Sequence, residues 1–124
     1  MLMAVCHELG VEDSLIPRIA AAFAGGMAGQ GEVCGAVVGS LMCVGLKADT
    51  EDPMQRFTET ARLGSEIMRA FREEMGSLRC RELTGLDLST PDGQAALMSS
   101  DVPVRVCFRA VGFAYEETLK LLKA

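Results

Sequence analysis

The sequence predicts an all-α fold: a compact single-domain bundle of five or six helices, with a glycine-rich loop before the helix that carries its main motif. Apolar residues recur at steps of three and four along nearly the whole chain, which is the helical period. Strand-like alternation is scarce, and the aromatic content, which favours sheets, is only 5%. No repeat or change of composition divides residues 1–124, so we expect one domain.

The composition excludes several classes of function. The chain has 17 acidic and 12 basic residues, and this acidic balance argues against a nucleic-acid partner, since phosphate backbones bind to basic surfaces. The sequence holds no run of about 18 apolar residues, so no membrane insertion is expected. Its N-terminal segment has neither a basic region nor a sustained apolar region, so it does not resemble a secretory signal. We therefore expect a cytoplasmic protein.

The ends of the first two helices are marked by their residues. Apolar spacing over Leu2–Leu9 predicts a helix that Gly10 stops. Asp13 is suited to cap the second helix, and Pro17 is tolerated near its first turn. That helix runs into the stretch 25–31, whose glycines make the strongest break in the sequence.

The third helix is predicted over about 32–46. Within and just before it, small residues recur every fourth position at Gly31, Gly35, Gly39 and Cys43. Because each interior glycine costs a helix roughly 1 kcal/mol relative to alanine, the stripe needs a reason. It predicts a close approach, either of another helix or of a cofactor.

The fourth helix is the clearest. Asp52 caps it, Pro53 takes its first position and Gly76 ends it. Its apolar face predicts a buried stripe, consisting of Met54, Phe57, Ala61, Gly64, Met68, Phe71 and Met75.

Three shorter patterns complete the chain. Residues 77–85 predict a short helix or turn that ends at Gly85. Thr90 caps a brief helix that continues through Met98. The last helix is expected from near Pro103 to about residue 122.

The cysteines are the most informative residues. They are five in number, which is odd and therefore prevents complete internal pairing, and they lie at Cys6, Cys34, Cys43, Cys80 and Cys107. No C-x-x-C motif exists, which weakens thioredoxin-like and zinc-ribbon interpretations. A Cys2His2 zinc site is impossible within one chain, because the sequence has a single histidine.

Position separates the cysteines into groups. Cys34 falls in the predicted first turn of the third helix, where free N–H groups and the helix dipole favour a thiolate. Cys43 lies nine residues further on, half a turn out of phase, so it faces the opposite side and is expected to be a packing residue. Cys80 stands between two arginines, which also favour a thiolate, and Cys107 lies near the start of the last helix. If Cys34, Cys80 and Cys107 converge, three thiolates meet in an electropositive pocket.

The segment from Phe23 to Lys47 resembles the hallmark of a bacterial and archaeal family of redox-active proteins. The family is named for its cysteine pattern, C, then GCAxxG, then C, then C, and the central motif is matched here by residues 34–39, Cys-Gly-Ala-Val-Val-Gly. The two later family cysteines resemble Cys80 and Cys107, so the resemblance covers nearly the whole chain. It implies a redox or cofactor role for these cysteines.

The resemblance departs from the family pattern in two places. The family's first cysteine would fall just before Met1, and Cys6 is displaced from that position by about two helical turns. Three alternatives remain open at this point: this chain begins late, the first cysteine has been lost, or Cys6 substitutes for it. Cys43 is an additional cysteine that the family pattern does not include.

Three hypotheses follow. In the first, Cys34, Cys80 and Cys107 carry out thiol–disulfide exchange with an unknown redox partner, and Cys34 is the nucleophile. In the second, the same cysteines bind an iron–sulfur cluster or another soft metal, with Gly35, Ala36 and Gly39 allowing the cofactor to approach. In the third, the chain has no cofactor and is a non-catalytic helical homodimer module. A homo-oligomer is expected in any case.

Overall fold

The computed structural model describes residues 1–123 and confirms the all-α class. The described chain contains seven α-helices rather than five or six, because 80–84, which the sequence leaves as helix or turn, is helical. They are α1 (Leu2–Leu9), α2 (Leu15–Ala20), α3 (Gly35–Lys47), α4 (Pro53–Met75), α5 (Cys80–Thr84), α6 (Pro91–Met98) and α7 (Phe108–Leu122). A 3₁₀ turn (Ala21–Phe23) extends α2, and a π-helical segment (Pro103–Cys107) leads into α7. None of the described helices is long and apolar enough to cross a membrane.

The predicted ends of α4 and the start of α6 are confirmed, whereas the N-cap of α2 is Ser14 rather than Asp13. The Asp52 carboxylate accepts a hydrogen bond from the Met54 N–H at 3.0 Å, and α4 ends at Gly76 in the left-handed region, with φ 89°. The Thr90 hydroxyl accepts from the Gly93 N–H at 3.0 Å and begins α6. These caps satisfy N–H groups that the helices themselves leave without partners.

The start of α3 differs from the sequence prediction. The helix begins at Gly35 rather than near residue 32, and Cys34 is its N-cap, with φ −54° and ψ 133°. The preceding residue, Val33, pairs with Arg79 in an antiparallel β-bridge, so this part of the chain is extended instead of helical. The bridge delays the helix by three residues.

The predicted buried stripe of α4 is only partly correct. Gly64 and Phe71 are buried, but Met54 and Phe57 are 71% and 67% exposed. With 23 residues against 13, α4 is longer than α3 by about 15 Å at 1.5 Å per residue. Its first turns therefore project past the helix on which it packs.

Two clusters of buried side chains, both built from α3, α4 and α7, form the interior. The first lies against the side of α3 that carries Cys34, and consists of Ala36, Val37, Phe71, Leu78, Ala110 and Ala114. The second lies toward the other end of α3, and consists of Val5, Cys43, Val44, Ile67 and Leu122. The π-helical segment and α5 complete the end of the molecule where the cysteines gather.

Candidate functional site

The β-bridge between Val33 and Arg79 aligns two of the cysteines. Beside it, the Cys34 N–H donates to the carbonyl of Leu78 at 2.8 Å, and the Cys80 N–H donates to the carbonyl of the residue before Val33 at 2.7 Å. Since side chains alternate across extended backbone, Cys34 and Cys80 lie on the same face of this bridge. Backbone hydrogen bonds thus hold two distant segments so that their cysteines face the same way.

The glycine-rich loop packs directly behind Cys80. Gly26 has φ +69°, and a Cβ there would lie 2.6 Å from the Cys80 Cβ and 2.7 Å from the Glu32 nitrogen. The loop is also bonded to the bridge, because its Gly26 carbonyl accepts from the Glu32 N–H at 2.9 Å. Gly26 is therefore a glycine both for its backbone conformation and for the space that Cys80 occupies.

Cys107 reaches the same place from the other side, at the end of the π-helical segment. Cys34, Cys80 and Cys107 all line one cavity of about 390 Å³. The structure thus brings together the three cysteines that the sequence analysis grouped. All three are free thiols; Cys80 is buried, and Cys34 and Cys107 are partly exposed.

The small residues of the motif form part of the cavity wall. Gly35, Ala36 and Gly39 all line it. A Cβ at Gly35 would lie 3.0 Å from the Phe23 carbonyl oxygen, and a Cβ at Gly39 would lie 2.7 Å from the end of the Met1 side chain. The predicted close approach is therefore explained by the packing of α3 against the chain before the loop and the start of α1.

The prediction of an electropositive pocket around Cys80 is wrong. The Arg79 guanidinium pairs with Glu32 at 2.8 Å and that of Arg81 with Asp87 at 3.2 Å, and all four side chains are about half exposed. Neither arginine lines the cavity. Surface carboxylates thus hold both guanidinium groups outside the cavity. The sequence shows that arginines flank Cys80, but it does not show these ion pairs.

Burial governs the ionisation of two of the three thiols. Burial raises the pKa of Cys80, and negative charge on Cys34 and then on Cys107 raises it further. Burial likewise raises the pKa of Cys107, with a second contribution from Cys34.

The two remaining cysteines, Cys6 and Cys43, lie side by side away from the cavity, and Cys43 belongs to the second cluster. Cys43 and Cys6 are 0% and 1% exposed, and neither lines the cavity. Burial, and then the neighbouring Cys6, raises the pKa of Cys43 to about 12. The predicted opposite facing of Cys43 and Cys34 is confirmed, and Cys6 stands beside Cys43 rather than with the cysteines of the cavity.

Most residues of the cavity wall could not be predicted from the sequence. Large apolar side chains from five separate segments contribute, among them Leu2, Phe23, Leu83, Leu97 and Val106. Their helical spacing is the same as that of ordinary core residues, so no local signal distinguishes a cavity wall from a packed interior. Among residues 1–123, no three His, Cys, Asp or Glu side chains are arranged to hold a metal ion.

Comparison with known proteins places the chain in a family. A family model described as "Putative redox-active protein (C_GCAxxG_C_C)" matches residues 1–121. A protein of Archaeoglobus fulgidus, described as "Uncharacterized protein", is 31% identical over 115 residues, which cover 86% of this chain and 70% of the relative. No solved structure matches the chain. The family match spans all three cysteines of the cavity and the glycine-rich loop that packs against Cys80, and on this ground the chain belongs to the C_GCAxxG_C_C family.

Proposed function

We propose that this protein carries out thiol–disulfide exchange with Cys34, Cys80 and Cys107. The observation that carries the proposal is the presence of three free thiols, from three separate segments, in the wall of one cavity. Exchange needs an attacking thiol and a second thiol that can resolve the mixed disulfide. The cavity offers one candidate for the first role and two for the second.

Cys34 is the proposed attacking residue. It is the N-cap of α3, where the first N–H groups of the helix have no carbonyl partner within the helix and favour a nearby negative charge. It is also partly exposed, so a substrate can reach its sulfur. Cys80 and Cys107 suit the resolving role, because their raised pKa values keep them protonated until a disulfide forms beside them.

The chemistry is a two-electron exchange. The Cys34 thiolate attacks one sulfur of a substrate disulfide, forming a bond from Cys34 Sγ to that sulfur while the substrate S–S bond breaks and the first thiolate leaves. Cys80 or Cys107 then loses its proton and attacks Cys34 Sγ, which releases the second thiolate. The substrate is reduced to two thiols, and the protein is oxidised to an internal disulfide.

Mass spectrometry of the reduced protein after one equivalent of a small disulfide tests this function. We expect the loss of two hydrogens and a peptide that joins Cys34 to Cys80 or to Cys107. Cys34→Ser should abolish the exchange. Cys43→Ser is the matched control, because it lies on the same helix outside the cavity and should leave the disulfide unchanged.

The same preparation distinguishes the alternatives. Stable mixed disulfide without resolution, or equal reaction of Cys34→Ser and the wild type, would contradict the proposal. Metal analysis of protein purified without oxygen provides the other arm. Stoichiometric iron or zinc that is lost in Cys34→Ser would instead establish metal binding by these cysteines.

A further inference from the structure

The wall of the cysteine cavity is apolar in composition. Among the described residues, no Asp, Glu, Lys, Arg or His side chain lines it. The one side-chain hydroxyl in the wall, that of Thr84, already donates to the Cys80 carbonyl at 2.8 Å. Apart from the thiols, the wall therefore presents apolar side chains and glycine backbone to a ligand.

The two arginines that flank Cys80 in sequence are held by ion pairs at the surface. Arg79 and Arg81, on either side of Cys80 in sequence, are paired with Glu32 and Asp87 at the surface. A charged ligand would lose its hydration on entering and find no oppositely charged side chain among the described residues of the wall. An uncharged ligand pays no such cost, and its apolar surface is removed from water.

The volume sets the size of the occupant. The cavity of about 390 Å³ falls within the range of small-molecule sites, roughly 300–1,000 Å³. An apolar cavity of about 150 Å³ is enough to bind benzene, so this one has room for a two-ring molecule. The partly exposed Cys34 gives such a molecule a sulfur to react with.

We propose that the substrate of this site is an uncharged, apolar small-molecule disulfide, rather than a charged disulfide such as that of an acidic tripeptide or an exposed disulfide on an acidic or basic protein. This inference rests on the proposed function. In the exchange, Cys34 bonds to one sulfur of the apolar disulfide, and the other half leaves as a thiolate that takes up a proton from water. The second cavity cysteine then loses its proton to water and attacks Cys34 Sγ; the bond between Cys34 and the bound half breaks, and the released thiolate takes up a proton. Two apolar thiols are produced, and the protein holds one disulfide.

Two aromatic disulfides of similar size test the substrate class. Dithiodipyridine is uncharged near neutral pH, whereas dithiobis(nitrobenzoate) carries a carboxylate on each ring. The rate constant of each is measured with the reduced native protein and divided by its rate constant with the same chain unfolded in urea. We expect the normalised rate of the uncharged reagent to exceed that of the dianion by about tenfold or more.

A pair of variants at the cavity mouth sharpens the test. Val111 lines the cavity and is 39% exposed, so Val111→Arg adds a cation at the mouth without burying it. It should raise the normalised rate of the dianion and reduce the preference. Val104→Arg is the matched control, because Val104 is 68% exposed and does not line the cavity, and it should leave the preference unchanged.

The outcomes separate the two proposals. If neither reagent reacts faster with Cys34 in the native protein than in the unfolded chain, both the exchange function and the substrate class are wrong. If both react rapidly, with Cys34 dependence and equal normalised rates, exchange stands and the apolar substrate is wrong. A preference that Val104→Arg changes as much as Val111→Arg would also overturn it, because the cavity would not be its source.

Discussion

At the scale of the residue, one helix holds two cysteines in opposite surroundings. Cys34 begins α3 and borders a cavity, whereas Cys43 is fully buried beside Cys6. The difference was predictable, because nine residues of helix rotate the side chain by half a turn beyond two full turns. The neighbour of Cys43 was not predictable, since it depends on how α1 crosses α3.

The buried thiol of Cys43 should make stability depend on pH in the alkaline range. Its pKa is raised from an ordinary value of 9.0 to about 12, so the unfolded chain loses this proton at lower pH than the folded protein. The stabilising contribution is complete below pH 9 and is lost as the pH rises from 9 toward about 12. We expect the free energy of unfolding, measured in urea, to fall more steeply over this range in the wild type than in Cys43→Ala.

The matched control for this measurement is Val44→Ala. Val44 is 2% exposed in the same cluster and does not titrate, so its replacement should lower stability without changing the pH slope. Cys43→Ala itself should cost about 0.5–1.5 kcal/mol near neutral pH, as other small truncations in cores do. Equal slopes in the wild type and in Cys43→Ala would show that the thiol titrates alike in both states.

At the scale of the element, the helix ends that depend on neighbouring residues could be predicted from the sequence. Asp52, Gly76 and Thr90 begin or end their helices as predicted, because a cap acts on N–H or C=O groups within a turn of itself. The start of α3 was predicted three residues early, because Val33 pairs with Arg79 in a segment far along the chain. Backbone pairing between distant segments cannot be predicted from the spacing of residues within one segment.

The glycine-rich loop gives a prediction about one element. Gly26 and Gly10 both have φ +69°, but a Cβ at Gly26 would meet Cys80 and Glu32, whereas nothing lies within 4 Å at Gly10. Gly10→Ala should therefore lower the free energy of unfolding only through its left-handed backbone conformation, by about 1–2 kcal/mol. Gly26→Ala should cost about 1–3 kcal/mol more, because the new methyl group overpacks the site.

Two measurements check this comparison. Unfolding in urea gives the stability of each variant, and the rate of disulfide exchange reports the position of Cys80. Gly26→Ala should slow the resolution step, while Gly10→Ala, which lies outside the cavity lining, should leave the rate unchanged. Equal losses of stability in the two variants would mean that the loop moves away from Cys80 without cost.

At the scale of the whole molecule, the two buried clusters stabilise different parts of the structure. The first supports the cysteine cavity, since Ala36 and Ala110 belong to both, and Cys34 packs against it. The second holds the far end of α3 and contains Cys43, which has Cys6 beside it. The grouping of Cys34, Cys80 and Cys107 could be anticipated from the family resemblance, but the apolar character of their cavity could not. That character depends on which surface carboxylates take up Arg79 and Arg81.

This division predicts that truncations in the two clusters have different effects on chemistry. Phe71 and Ile67 are 0% and 1% exposed on the same side of α4, one turn apart, but Phe71 belongs to the first cluster and Ile67 to the second. Ile67→Val should lower the free energy of unfolding by about 1 kcal/mol and Phe71→Leu by about 1–3 kcal/mol, because the second change removes more volume and an aromatic contact from a packed core. Only Phe71→Leu also removes the edge-to-face contact with Phe113, whose ring centre lies 6.1 Å away, and leaves space behind the cavity wall.

We therefore expect Phe71→Leu to change the rate of disulfide exchange at Cys34 and Ile67→Val to leave it near that of the wild type. Unfolding of both variants in urea measures their losses of stability and shows that each is fully folded without denaturant, and single-turnover exchange with an uncharged disulfide then compares their chemistry. If the two rates change together, stability alone controls the site, and the first cluster has no special role in shaping it. If only the rate of Phe71→Leu changes, the packing behind Ala36 and Ala110 positions the thiols, and the fold contributes to the chemistry beyond bringing the cysteines together.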